Sequence, residues 1–137
     1  MQDKIELILQ KPKGCVYACQ AMVTGKSYDE IEAEYKKYND IPDIRGEVRQ
    51  WVRMGYLPRL IHDVFFEGFL YLATVPSLNH AGVLHRIVVD TRKDETVIYD
   101  PQKGNEGMKY YDTLEDLKGW TEVTFVENCF QKPSSIH

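Results

Sequence analysis

The sequence predicts an α+β domain with its helices first and an antiparallel sheet after them. Two observations carry this. Segments with helical period fill the chain between Gly14 and Gly55. From residue 69 onward, short β-branched and aromatic runs alternate with turns rich in Pro, Gly, Asn and Asp. Helices and strands are thus segregated rather than interleaved as βαβ units, the pattern of an α+β fold.

The elements follow in order. "IELIL" (5–9) is short and apolar, carries the β-branched Ile5 and Ile8, and reads as a strand. Gly14 precedes a buried helix over 15–24, rich in Ala, Met and Gln and closed by Gly25. "SYDE" opens a second helix. Ser27 caps the free amides there, and Glu30, three residues on, reaches back to it. Ile31, Tyr35 and Tyr38 share one face of that helix, with Glu32, Glu34, Lys36 and Lys37 outside. In "DIRGEVRQWVRMG" the residues Ile44, Val48, Trp51 and Val52 repeat the helical period, and Gly55 ends it. "FLYLATV" (69–75), "VLHRIVVD" (83–90), "ETVIYD" (95–100) and "TEVTFVE" (121–127) are strands, and "TLEDLK" (113–118) is a brief helix. The aromatic cluster "DVFFEGFLYL" (63–72) reads as core filling, with the lining of a peptide groove as the other reading, one that Trp51 and Trp120 share. Residues 1–130 form one domain and "QKPSSIH" (131–137) a disordered tail.

Length and composition bound the function. A chain of 137 residues buries a single core without staples, and 43% hydrophobic with 28% charged residues is ordinary for a globular domain. The formal charge of −4, with no basic block, argues against a nucleic-acid backbone as partner. No apolar run approaches the roughly 18–20 residues of a membrane span. "MQDKIELILQ" mixes charge into its apolar stretch, unlike a signal peptide. A cytoplasmic location with reduced thiols is the expectation, and Cys15, Cys19 and Cys129 are too few and odd in number for a disulfide framework. Nothing in the pattern fixes an oligomeric state.

A cysteine attacks only as its thiolate, and the first turn of a helix favours that anion through unpaired amides and the axis dipole. Cys15 stands at such a start, whereas Cys19 is one turn deeper, where a thiol is inert packing. The base comes from four histidines. His137 is terminal, His62 lies in a poorly patterned stretch and His80 in a loop. His85 opens a strand and shares a face with Val83, Ile87 and Val89. Asp100 ends the next strand, on a face with Ile98 and Thr96. If the two strands form a hairpin centred between residues 92 and 93, His85 lies directly opposite Asp100. A slip of two positions makes the pair diagonal neighbours, and a slip of one puts them on different faces. A carboxylate on one imidazole nitrogen leaves the other for the thiol. Asp90 is the rival orienter, but alternation turns it to the opposite face from His85. Gln10 offers an amide donor for the oxygen anion that develops in acyl chemistry, alongside the backbone N–H of Cys15.

Gln10, Cys15 followed by "ACQAMVTGKSYDEI", "HRIVV" and "YDP", in that order over about residues 5–105, resemble the papain-like cysteine peptidase superfamily. The nearest branch is the peptidases that process bacteriocin leaders at double-glycine sites, with their free-standing bacterial and phage relatives. The resemblance implies a papain-like α+β fold and a cysteine hydrolase acting on the amide bond of a peptide or protein, without a cofactor. It makes Cys15 the nucleophile, His85 the base, Asp100 its orienter and Gln10 an oxyanion donor. The chain departs from the pattern twice. Val16 stands where the family usually has Gly, and only four residues, Pro12 among them, separate Gln10 from Cys15, one fewer than is common.

Two other readings stand beside this one. A papain-like fold with an impaired site would act as a protein-binding or inhibitory module, which Val16 favours. Cys15, Cys19, His80 and His85 also spell C-x3-C…H-x4-H, a set of zinc-ligand types, though without the C-x2-C spacing of common structural sites.

Overall fold

The computed structural model describes residues 2–61, 65–117 and 122–127, with backbone alone at 60–61 and 122–127. Three ten-residue helices lead: α1 (Cys15–Thr24), α2 (Tyr28–Lys37) and α3 (Ile44–Arg53). Five strands follow: β1 (Leu57–Ile61), β2 (Leu70–Pro76), β3 (Leu84–Asp90), β4 (Val97–Tyr99) and β5 (Glu122–Glu127), with a 3-10 turn at Leu114–Leu117. They form one sheet in the order β1-β5-β2-β3-β4, every pairing antiparallel. The α+β class and the segregation of helices from strands stand as the sequence predicts. The tail 131–137, Cys129, Trp120, His62 and His137 lie outside the described residues.

The helix ends follow local chemistry. Gly25 closes α1 in the left-handed region at φ 80°, its N–H donating to Ala21 O. Ser27 Oγ accepts from Glu30 N at 3.1 Å while Glu30 Oε1 accepts from Ser27 N at 3.2 Å, so the capping box is complete. Asp43 caps α3 by accepting from Gly46 N at 3.0 Å.

α1 is apolar around most of its surface and is buried on nearly every side. Cys19, Met22 and Val23 pack with Trp51, Leu70, Leu72 and Val88 on one face of the sheet. Tyr71, Ala73, Val75, Ile87, Val89 and Ile98 fill the other face, covered by Tyr111 and Leu117. Both faces are therefore dry along Leu70–Ala73 of β2 and Ile87–Val89 of β3, which explains their apolar runs.

The structure departs from the sequence reading in four places. Residues 5–9 form no strand: Ile5 is buried against α1, and the ends of the segment are tied by Gln2 N to Val23 O and Gln10 N to Pro101 O instead of by a ladder. A strand forms at Leu57–Ile61, where Pro58 masks the pattern; β1 is an edge strand, the position that tolerates a proline. Tyr38 is exposed because α2 ends at Lys37, and its ring lies 4.0 Å from the Arg53 guanidinium.

The fourth correction concerns α3. Of Ile44, Val48, Trp51 and Val52, only Trp51 is fully buried; the inward face is completed by Gly46, Glu47 and Gln50. The cause is a partner on the sheet. Arg86 of β3 donates through Nε to Glu47 Oε1 at 2.9 Å and through Nη2 to Glu47 Oε2 at 2.5 Å. Its Nη1 donates to Thr74 Oγ1 at 2.7 Å. A paired and hydrogen-bonded charge can be buried where a lone one cannot. Gln20 of α1 joins the same layer, donating to Glu47 O at 3.1 Å and accepting from Tyr35 Oη.

Candidate active site

The entry to α1 is tight. Gly14 N donates to Lys11 O at 2.9 Å, and Lys13 turns the chain in the left-handed region at φ 61°. A Cβ on Gly14 would come within 1.7 Å of Tyr28 Oη, so only glycine fits the approach of this turn to α2. Gly14 offers no side-chain cap, and the first-turn amides of α1 lack intrahelical acceptors, as at any helix start. Cys15 sits there, half-buried. Cys19 is fully buried and its Sγ donates to Arg86 O at 3.3 Å. Burial, then the neighbouring Cys15, pushes the Cys19 thiol well above its ordinary range, which makes it an inert packing group.

The second half comes from the β3–β4 hairpin. Its register sets Val88 opposite Tyr99 and Val89 opposite Ile98, a slip of two positions from a turn centred between residues 92 and 93. A slip of two preserves the faces. His85 and Asp100 therefore meet as diagonal neighbours, His85 Nε2 lying 2.7 Å from Asp100 Oδ1. The pair is enclosed, His85 being 9% exposed and Asp100 1%. β4 ends at Tyr99, and the turn that follows aims two amides at the carboxylate. Gln102 N donates to Oδ1 at 2.9 Å and Tyr111 N to Oδ2 at 2.8 Å. Asp100 thus cannot rotate away from the imidazole without abandoning both.

Cys15 and His85 line the same cleft, where the head of α1 meets the start of β3. One cavity, of about 340 Å³, opens toward α3 past Val16, Ile44 and Leu84. A second, of about 670 Å³, opens toward Gln10, His80, Gln102 and Met108. Leu84 borders both. With Nε2 committed to Asp100, Nδ1 is the ring nitrogen left for the thiol. Burial opposes charge on the ring, but the Asp100 carboxylate bonded to it, and then the Cys15 sulfur beside it, outweigh burial and push His85 up from 6.5 to about 9. The charged form of the ring is thereby favoured, next to the Cys15 sulfur.

Gln10 reaches the same cleft as Cys15 and His85. It is 9% exposed; its Nε2 makes one long contact of 3.5 Å to Lys11 O, and its Oε1 is buried without a hydrogen-bond partner. The oxygen is thus the unpartnered atom of this amide, and the Nε2 donor is held by that long contact alone. The four residues Gln10, Cys15, His85 and Asp100, chosen from sequence, are thus brought to one place.

Other candidates separate. Asp90 pairs with Arg92, Oδ1 accepting from Nε at 2.9 Å and Oδ2 from Nη2 at 3.0 Å. His80 lies on the rim of the larger cavity. Among the described residues no group of three or more His, Cys, Asp or Glu side chains could hold a metal ion, so the zinc reading of Cys15, Cys19, His80 and His85 is corrected. Trp51 is wholly buried and lines neither cavity of the cleft, and of 65–72 the residues Leu70, Tyr71 and Leu72 are core. The sequence does not announce the amides of Gln102 and Tyr111 that hold Asp100, nor the Glu47–Arg86 pair. The amides carry no side-chain signal; Glu47 had one, a polar residue at helical spacing from Gln50 and Trp51. Among the described residues no helix is long and apolar enough to cross a membrane. No protein-family model matches the chain, and no curated protein matches it.

Proposed function

We propose that this protein is a papain-like cysteine hydrolase acting on an amide bond of a peptide or protein substrate. The observation that carries the reading is the buried 2.7 Å contact of His85 Nε2 with Asp100 Oδ1, beside a half-buried cysteine at a helix start in the same cleft. In this reading the Cys15 thiolate attacks the carbonyl carbon, forming a carbon–sulfur bond. Negative charge moves to the carbonyl oxygen, where the Cys15 N–H and Gln10 Nε2 receive it. The tetrahedral adduct collapses as the C–N bond breaks, and His85 passes its proton to the leaving amine. The neutral imidazole then takes a proton from water, whose oxygen attacks the thioester and frees the acid and the Cys15 thiolate, which restores the starting pair. Asp100 holds the ring throughout. No step requires a cofactor, and we place the activity in the cytoplasm, where thiols stay reduced.

One observation favours a second reading, an impaired fold that binds a protein without cutting it. Val16 puts a branched side chain into the wall of the cleft directly after Cys15. Digestion of a complex peptide mixture distinguishes the two. The hydrolase yields new termini, or acids in place of side-chain amides, that vanish with Cys15→Ala; the binder yields neither.

A further inference from the structure

The Gln10 side chain has little holding it. Its amide makes one 3.5 Å contact, and its oxygen none. Yet a donor for a developing anion acts only if it is already aimed. The loop that carries it is also short, with four residues, Pro12 among them, before Cys15.

What fixes this residue is its backbone, and the fixing comes from the turn after β4. Gln10 N donates to Pro101 O at 2.9 Å. Gln10 O accepts from Asn105 Nδ2 at 3.1 Å. The same amide nitrogen donates to Gln102 Oε1 at 2.8 Å and approaches Pro101 O at 3.4 Å. Gln102 N in turn binds Asp100 Oδ1. Asn105 N closes the turn on Gln102 O at 3.0 Å, and Leu9 packs where Gly104 has no side chain, a Cβ there lying 3.5 Å from its Cδ2. One half-buried side chain therefore joins the loop bearing Gln10 to the turn bearing Asp100.

We infer that Asn105 is a positioning residue: it braces Gln10 against the Asp100–Asn105 turn and so holds the oxyanion donor in line with Cys15. This rests on the hydrolase reading. It assigns the 100–105 turn two tasks, orienting the imidazole through Asp100 and the amide donor through Asn105. The two tasks are separable, because alkylation of a thiolate needs the imidazole and builds no oxyanion, whereas acylation needs both.

The test uses p-nitrophenyl acetate, whose acetyl group passes to Cys15 Sγ as p-nitrophenolate leaves, and iodoacetamide, which alkylates the same sulfur. In the full chain, Gln10→Ala slows the acylation burst roughly a hundredfold and Asn105→Ala roughly tenfold. The double variant is no slower than Gln10→Ala alone. Asn105→Asp, which replaces the amide donor by an acceptor, matches Asn105→Ala. Iodoacetamide rates and their pH profile stay within about twofold of wild type in Asn105→Ala, showing the Cys15–His85 pair intact. An unchanged burst in Asn105→Ala, losses that multiply in the double variant, or an alkylation rate that falls with the burst overturns the inference alone. Wild-type protein with neither a burst nor selective alkylation of Cys15 overturns the hydrolase reading and this inference with it.

Discussion

His85 and Asp100, fifteen residues apart, meet across the β3–β4 hairpin with Nε2 and Oδ1 2.7 Å from each other, although they are not opposed in the ladder. Asp100 leaves the strand after Tyr99 and is caught by the amides of Gln102 and Tyr111. The contact is therefore a product of the turn as much as of the sheet. A carboxylate with backbone donors on both oxygens keeps its position when the ring gains or loses its proton.

Asp100→Asn keeps the shape and removes the charge. Turnover falls by about a hundredfold, and substrate affinity changes far less, because the lost group acts on the ring and not on the substrate. Steady-state kinetics on any cleaved peptide separate the two; equal turnover removes Asp100 from the site.

The pH dependence follows from the elevation of His85 to about 9. Amide cleavage needs the imidazolium to donate to the leaving nitrogen, so the rate falls as pH rises through about 9. In Asp100→Asn the alkaline limb moves to lower pH, since the carboxylate bonded to the ring is gone. The pH profile of kcat/KM reads both.

Stability carries the same signature. A group whose folded value lies above its ordinary 6.5 contributes fully below that pH, and its contribution fades as pH rises to about 9. Thermal unfolding of the wild type minus that of His85→Gln shrinks across this window. A difference that is flat between pH 6.5 and 9 contradicts the assignment.

Cys15→Ala abolishes activity and leaves Tm within a few degrees, because the thiol is small and half-buried. Calorimetry checks this, and unfolding of the variant marks Cys15 as structural.

The Glu47–Arg86 pair makes an asymmetric prediction. Arg86→Met leaves a buried carboxylate without its bidentate partner and costs about 3–5 kcal/mol, while joint replacement of both by apolar residues costs much less. Urea denaturation of the single and double variants measures the difference.

These particulars show what the chain made legible. The capping box at Ser27 and Glu30, the glycine that closes α1 and the hairpin strands are local codes, and each was readable. The proximity of Cys15 to His85 is long-range; it follows from the chemistry a thiol needs together with the order of Gln10, Cys15, His85 and Asp100, and no local code reports it. Residues 5–9 looked like a strand because burial of Ile5 mimics strand patterning, and no sequence rule reports the missing ladder. The polar inner face of α3 is not legible locally because its cause, Arg86, lies thirty-nine residues away from Glu47. Asn105 sits in a run of turn residues, "QKGNEG", where composition explains every residue equally well.

The most direct measurement is the rate at which iodoacetamide modifies Cys15 near neutral pH, read by peptide mass spectrometry, in wild type and in His85→Ala. The proposed Cys15–His85 pair predicts that Cys15 reacts well ahead of Cys19 and that His85→Ala slows it at least about tenfold. Equal rates in the two proteins, or slow modification of both cysteines alike, would contradict it.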